Sequence, residues 1–328
     1  MTAQTRPLVV IYQEADIRAA MPLGLPAIDA VERVFGLIAT NPYSMPPVMQ
    51  VLVPDFSGQT CVKSAWISGM DSFAVKLSSI YPRSADADAP EANGMMAIVE
   101  AATGRVQAIM LDNGYLTQLR TAAAGAVAVR HLAPALLDRM AVIGAGKQAL
   151  LQVMAAHLVR PFGNLSIWAR RSEQAEHMAR LIETQLPIAV TIASTPKAAL
   201  ANSALAVTTT SARDPILFAD DLHAGLHITA MGSDAPGKRE LSACLLENVD
   251  LYVADTLDQC QRLGELQSLN ISELRRTTEL GAIVAAKAAG RLSEADITVA
   301  DMTGLGAQDT AIALAARQQC HTSAQTLK

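Results

Sequence analysis

The spacing of apolar positions changes along this chain, and each change marks a different kind of structure. Between residues 14 and 40, Ile28, Val31, Val34, Phe35 and Ile38 recur at helical spacing and share one face, so two short helices are expected. From Met45 the pattern becomes short β-like runs at 48–53, 61–67, 73–80, 95–100 and 106–111. The last two are joined by Ala102-Thr-Gly-Arg105, a natural hairpin turn. Strands in such close succession predict an antiparallel or mixed sheet. Residues 116–132 read as one helix rich in alanine (Ala122, Ala123, Ala124, Ala126, Ala128), suited to close packing where the chain crosses between domains. Beyond residue 138, strand and helix patterns alternate, with strands expected at 140–144, 164–168, 188–193, 204–208, 226–230 and 250–254. That alternation predicts a parallel, doubly wound sheet. A final helix over 311–317 is expected to return to the first domain.

The alternating half opens on Met140-Ala-Val-Ile-Gly-Ala-Gly-Lys-Gln-Ala149. A strand, a glycine turn and a helix in this order form the context in which G-x-G-x-x-G/A binds a dinucleotide. Gly144 permits the tight turn, Gly146 lets the backbone approach a pyrophosphate, and Ala149 keeps the helix close to the sheet. The helix N-terminus offers unpaired N–H groups to the phosphates. An ordinary βα turn is the plainer alternative. At the end of the second strand, where a carboxylate would select NAD, the chain reads Ile167-Trp-Ala-Arg-Arg-Ser172. Arg170, Arg171 and Ser172 suit a 2′-phosphate, which favours NADP(H) and leaves NAD(H) open. As a solvated loop, the same arginines would select nothing.

Composition narrows the classes. A chain of 328 residues is long enough for two domains. With 51% hydrophobic and 17% charged residues it is globular and not disordered. A net charge of −5 and 4% aromatic residues give neither a basic face nor stacking platforms, so nucleic acid is an unexpected partner. No apolar run approaches membrane-spanning length and no leader pattern opens the chain. The four cysteines (Cys61, Cys244, Cys260, Cys320) lie far apart, which fits reduced residues in a cytoplasmic protein with no metal site.

Polar residues also stand in apolar or glycine-rich surroundings elsewhere. Lys76 ends the strand-like Phe73-Ala-Val-Lys76, Arg120 lies in Leu119-Arg-Thr-Ala, and Asp234 lies in Ala230-Met-Gly-Ser-Asp-Ala-Pro-Gly-Lys238. An arginine can clamp a carboxylate, a lysine can donate to a carbonyl or imine, and an aspartate can move a proton. Taken singly, each has a duller reading as a strand-end lysine, a helix-end charge or a turn aspartate.

Taken together, Lys76, Leu119-Arg-Thr-Ala-Ala-Ala124, Ile143-Gly-Ala-Gly-x-Gln-Ala149, Met231-Gly-Ser-Asp-Ala-Pro-Gly-Lys238 and Asp301-Met-Thr-Gly-x-Gly-x-Gln-Asp309 resemble the ornithine cyclodeaminase/mu-crystallin family. The resemblance runs from about residue 20 to the C-terminus. Leu111-Asp-Asn-Gly-Tyr-Leu-Thr117 and Val207-Thr-Thr-Thr210 are most similar to its ectoine-utilisation branch. The resemblance implies an α/β fold: a Rossmann doubly wound parallel sheet (122–310) inserted in a smaller α+β substrate and dimerisation domain (1–121 plus 311–328). It implies a homodimer acting on a small amino or imino acid. By motif, Lys76 is similar to the lysine at the substrate carboxylate or imine, Arg120 to the carboxylate clamp, and Asp234 to the catalytic acid/base. Thr121, Gln148, Thr209, Met231 and Gly232 would lie beside the cofactor. The sequence departs from the family pattern at Gln50, where many relatives have a second carboxylate-binding arginine, and at Lys63, in ungapped register with an ornithine cyclodeaminase glutamate.

The family's shared chemistry is hydride transfer between nicotinamide and the Cα of a Cα–N unit. Arg170, Arg171, Ser172 and Lys63, which would repel a diamine, favour an imino-acid reductase or amino-acid dehydrogenase. The ectoine-type motifs favour a cyclodeaminase that releases ammonia. A non-catalytic NADPH-binding protein is a further alternative, against which Lys76 and Asp234 both stand.

Overall fold

The computed structural model describes residues 9–81 and 92–326. The chain divides into two compact units, Met1–Arg120 with Leu305–Lys328, and Thr121–Gly304. In chain order the first unit contains β1 (Val10–Gln13), α1 (Glu14–Ala20), α2 (Leu25–Thr40), β2 (Tyr43–Ser44), β3 (Met49–Val53), β4 (Gly58–Ile67), β5 (Ser72–Ile80), β6 (Ala92–Glu100) and β7 (Val106–Leu111). The boundary then falls within α3 (Tyr115–Leu132), at Arg120. The second unit continues with β8 (Arg139–Ile143), α4 (Lys147–Val159), β9 (Asn164–Trp168), α5 (Ser172–Glu183), β10 (Ala189–Ile192), α6 (Pro196–Leu200), β11 (Leu205–Thr208) and β12 (His227–Ala230). It closes with α7 (Ala243–Glu247), β13 (Leu251–Ala254), α8 (Leu257–Leu263), β14 (Thr277–Glu279), α9 (Leu280–Val284) and β15 (Thr298–Asp301), and α10 (Gly306–Thr326) returns to the first unit.

The first unit is a seven-stranded sheet in the order β1-β7-β6-β5-β4-β2, with β3 also paired to β4. Neighbours run antiparallel except β1, which lies parallel to β7. Side chains alternate between the faces of a strand, so register decides what each face carries. One row runs Tyr12, Met110, Met96, Lys76, Lys63 across β1, β7, β6, β5 and β4. Tyr12, Met96 and Met110 are buried there with Ile98, Ala108 and the α10 residues Ile312, Ala313 and Ala316. The opposite face exposes Ile11, Met49, Val51, Trp66, Leu77 and Leu111.

The helical stripe read from the sequence is the buried side of α2, where Ile28, Val31 and Phe35 are fully covered. The helix expected over 311–317 begins earlier, at Gly306, and the chain rejoins the first unit at Leu305 where the sequence suggested 311. The reason lies in a contact between distant segments: Gly306 packs so closely on β4 that a Cβ there would meet the Ser64 carbonyl at 2.5 Å.

The second unit is an eight-stranded parallel sheet in the order β10-β9-β8-β11-β12-β15-β13-β14. Its buried layer includes Ala141, Ile143, Ala206, Ile228, Tyr252 and Val299. Strand order reverses between β8 and β11, the place where doubly wound sheets open a crevice for ligands. The strand β15, absent from the sequence pattern, lies between β12 and β13. Among the described residues no helix is long and apolar enough to cross a membrane.

Candidate active site

The second unit holds a cavity of about 470 Å³ at the C-terminal ends of β8, β9 and β11. Gly144 and Gly146 form one wall, Arg170 and Arg171 a second, and Thr209 and Thr210 a third. Gly144 sits at φ +122, and a Cβ on it would strike Thr209 Oγ1 at 2.6 Å, so both backbone conformation and space require glycine there. Gly146 differs: a Cβ there meets nothing within 4 Å, because that side faces open cavity. Gly146 is also the N-cap of α4 and supplies no side-chain cap. The N-terminus of a thirteen-residue helix, with its positive dipole end, therefore borders the cavity without a side-chain cap. Arg170 and Arg171 are exposed at the rim. Room, a helix N-terminus and positive charge together fit the pyrophosphate and ribose of a dinucleotide.

The first unit, by itself, holds a cluster of buried charges. Lys76 projects from β5 and is 2% exposed. Its Nζ lies 3.0 Å from Oδ1 of Asp309 and 2.9 Å from Oδ2. On the other side, Arg120 Nε is 3.0 Å from Asp309 Oδ1, and an Arg120 Nη donates to Gln308 Oε1 at 3.0 Å. Burial pushes the Lys76 ammonium down to about pKa 7, against the opposing pull of Asp309. Burial alone would raise Asp309, but Lys76, Arg120 and Lys63 outweigh it and hold the carboxyl below its usual range. Asp112, almost fully buried, accepts from Leu116 N at 2.7 Å at the start of α3. Burial raises its carboxyl to about pKa 6, with backbone hydrogen bonds and the Lys76 charge opposing. Lys76 is thus an ammonium close to its titration point at neutral pH, held by the Asp309 carboxylate and under the influence of the Arg120 guanidinium.

A match to known proteins covers residues 9–323, nearly the whole chain. The chain belongs to the ornithine cyclodeaminase/mu-crystallin family. An uncharacterized cyclodeaminase of Sinorhizobium fredii is 43% identical over 318 residues, covering 95% of this chain and 96% of its own. Iminosuccinate reductase of Paracoccus denitrificans is 31% identical over 298 residues, covering 88% of this chain and 90% of its own. The fold is shared with two solved structures at 28% identity. Iminosuccinate reductase of Paracoccus denitrificans in complex with NAD+ superposes with a TM-score of 0.89, covering 96% of this chain and 97% of that one. An archaeal alanine dehydrogenase dimer with bound NAD superposes at 0.87, with the same coverage.

The motifs of the family fall on both units of this chain. Gly144, Gly146, Arg170, Arg171 and Thr209 come together around the cavity. Ala149 is buried one turn into α4, with Gln148 before it, and Ser172 is exposed at the start of α5; these three lie outside the lining. Thr121 also lies outside it, its carbonyl accepting from Gln152 at 2.9 Å, as do Met231 and Gly232 at the end of β12. Asp234 is an exposed residue of the second unit, with Oδ1 2.6 Å from Lys238 Nζ. In the first unit, Lys63 stands directly opposite Lys76 on the neighbouring strand, and Gln50 is exposed on β3 opposite Cys61.

Asp309, Gln308 and Asp112 were not among the sequence candidates. The first two close the motif that begins at Asp301, and Asp112 lies in the stretch that begins at Leu111. A second carboxylate, Asp309, closing a glycine-rich motif that opens on Asp301 was the available signal.

Proposed function

We propose that this protein is an NAD(P)-dependent oxidoreductase that moves hydride at the Cα–N bond of a small imino or amino acid. Within that class we favour an imino-acid reductase or amino-acid dehydrogenase. The observation that carries this reading is the buried Lys76–Asp309–Arg120 cluster. A buried guanidinium with donors beyond those engaged by Asp309 and Gln308 suits a planar carboxylate. An ammonium with a pKa of about 7 can donate to an imine or carbonyl and give up its proton near neutral pH. The nicotinamide, when bound in the cavity of the second unit, supplies or accepts the hydride. Asp309 holds Lys76 charged against burial and fixes its direction. Asp234 takes the part of acid/base at the substrate nitrogen, as its family motif implies. Gln50 and Lys63 shape the substrate end, and Lys63 opposite Lys76 adds positive charge that suits anionic or neutral side chains better than a second ammonium.

The exposed arginines at the rim support NADP(H) over NAD(H), although the related structures hold NAD. The first unit is assigned substrate binding and dimerisation, and the second the dinucleotide. A homodimer is supported by the exposed apolar side chains Ile11, Met49, Val51, Trp66, Leu77 and Leu111, which share one face of the sheet. A cytoplasmic setting suits four separate thiols.

The likeness to a protein named as a cyclodeaminase favours a second reading, in which the amine is oxidised, ammonia is lost on ring closure and the hydride returns. One experiment separates these. Purified protein is mixed with a panel of cyclic and linear imino acids and either coenzyme, and absorbance is followed at 340 nm. The reductase reading expects decay with at least one imine, faster with NADPH. Ammonia release from a diamino acid with no net coenzyme change would replace it with the second reading. Coenzyme binding without either reaction would make this a binding protein.

A further inference from the structure

Where β11 and β12 leave the sheet, their ladder hydrogen bonds end and their backbone N–H groups need new acceptors. The strands are adjacent and parallel, with Thr208 opposite Ala230. One side chain meets the need of both. Glu240, with no exposed surface, accepts from Thr210 N at 2.6 Å on Oε1 and from Gly232 N at 2.8 Å on Oε2. Its Oε2 also accepts from the Thr208 hydroxyl. Thr210 lines the dinucleotide cavity, while Glu240 itself does not. Gly232 shows how close the two loops lie: a Cβ there would sit 2.2 Å from the Thr210 carbonyl and 2.5 Å from the Glu240 carboxyl.

Glu240 has little slack of its own. Its N–H donates to Glu265 Oε1 at 2.9 Å, and its carbonyl accepts from Ile216 N at 2.7 Å and Leu217 N at 3.1 Å. Burial raises the carboxyl, and the donated hydrogen bonds from Thr208, Thr210 and Gly232 oppose that rise.

We propose that Glu240 is a positioning residue that ties the loops after β11 and β12 into one rigid edge of the dinucleotide crevice, fixing hydride-transfer distance without touching the cofactor. The proposal rests on the dinucleotide reading above. A glutamine in its place keeps the shape, but its amide nitrogen would confront at least one backbone donor. One loop is then released while the Gly144–Gly146 turn is untouched. A shift of about 1 Å at the reacting end is enough to cost on the order of a hundredfold in rate.

The test compares wild type, Glu240→Gln and Thr208→Val as intact protein with NADPH, 4-deuterated NADPH and the best imino acid of the panel. For Glu240→Gln, kcat is expected to fall on the order of a hundredfold with NADPH Kd within about threefold, because the distal half of the cofactor keeps its contacts. The deuterium effect on kcat is expected to rise towards its full value as the chemical step becomes limiting. Thr208→Val leaves both backbone N–H bonds in place, so its kcat is expected to stay within about threefold of wild type.

If Glu240 only supports the fold, activity falls with the folded fraction and the isotope effect stays put, which overturns the proposal. Should Glu240→Gln fail to fold, amide hydrogen exchange on wild type decides. Slow exchange at both Thr210 and Gly232 is expected, and fast exchange at either overturns the tie. A wild type that binds neither coenzyme would sink the dinucleotide reading and this inference with it. A wild type that turns over while the variant keeps its isotope effect removes the role of Glu240 alone.

Discussion

Asp309→Asn tests the buried cluster through stability alone, with no assumption about substrate. The substitution keeps the shape and removes the charge between Lys76 Nζ at 2.9 Å and Arg120 Nε at 3.0 Å. Deleting one partner of a buried ion pair usually costs about 3–5 kcal/mol. Lys76 has a way to reduce that cost, because its folded pKa is already about 7. A lysine whose folded pKa lies below its unfolded value adds stability as pH rises between the two, since the unfolded chain binds the extra proton. Losing Asp309 moves the folded value lower still, so the extra loss appears below pH 7 and fades above it.

Taking the variant's lysine as neutral throughout, the wild-type ammonium contributes about 1 kcal/mol at pH 6 and almost nothing at pH 8. Arg120 cannot discharge, so a loss of about 1–3 kcal/mol that does not depend on pH is expected to remain. Urea unfolding at pH 6 and pH 8, with matching slopes, measures both parts. Asp309→Asn is expected to lose about 1 kcal/mol more at the lower pH. Equal losses at both would mean that Lys76 does not titrate near neutrality against Asp309, and the poised ammonium would have to be given up.

Three other substitutions examine other parts of the site. Arg170→Ala is expected to weaken NADPH binding by about 1.5–3 kcal/mol, the scale of a charged hydrogen bond, and to leave NADH little changed; equal losses in a fluorescence titration would remove the 2′-phosphate assignment. Gly146→Val places its side chain in open cavity, so the melting temperature is expected to stay near wild type while coenzyme binding disappears; retained affinity would make the loop a structural turn. Asp234→Asn is expected to lower kcat by about 10²–10⁴-fold with coenzyme binding intact; a near-normal kcat would leave Asp234 as the Lys238-paired turn residue that its exposed position also allows.

Much of this architecture was legible because it is written in local pattern. The α2 stripe, the strands around Lys76 and the Gly144–Gly146 turn depend on neighbours in sequence, and periodicity or glycine placement reveals them. Contacts between distant segments left no such trace. Lys76 and Asp309 meet across 233 positions, and Arg120 and Gln308 across 188. Nothing near Gly304-Leu-Gly306 shows that the next turn carries buried polar side chains, so the local pattern begins the last helix at 311, five residues after α10 starts. The strand β15 has no local pattern for a similar reason. Its polar ends, Thr298 and Asp301, look like loop residues until His227 and Tyr252, both on other strands, are seen to bond them. The order of β12, β15 and β13 followed from that and had no local signature.

The most direct measurement follows the hydride. NADPH carrying deuterium at the transferred C4 position is mixed with an imino acid from the active part of the panel, and the amino-acid product is analysed by mass spectrometry. A product heavier by one mass unit at Cα, formed mole for mole with oxidised coenzyme and without ammonia, is the expected result. A product with no label, or ammonia released with the coenzyme unchanged, would contradict a reductase at the Cα–N bond.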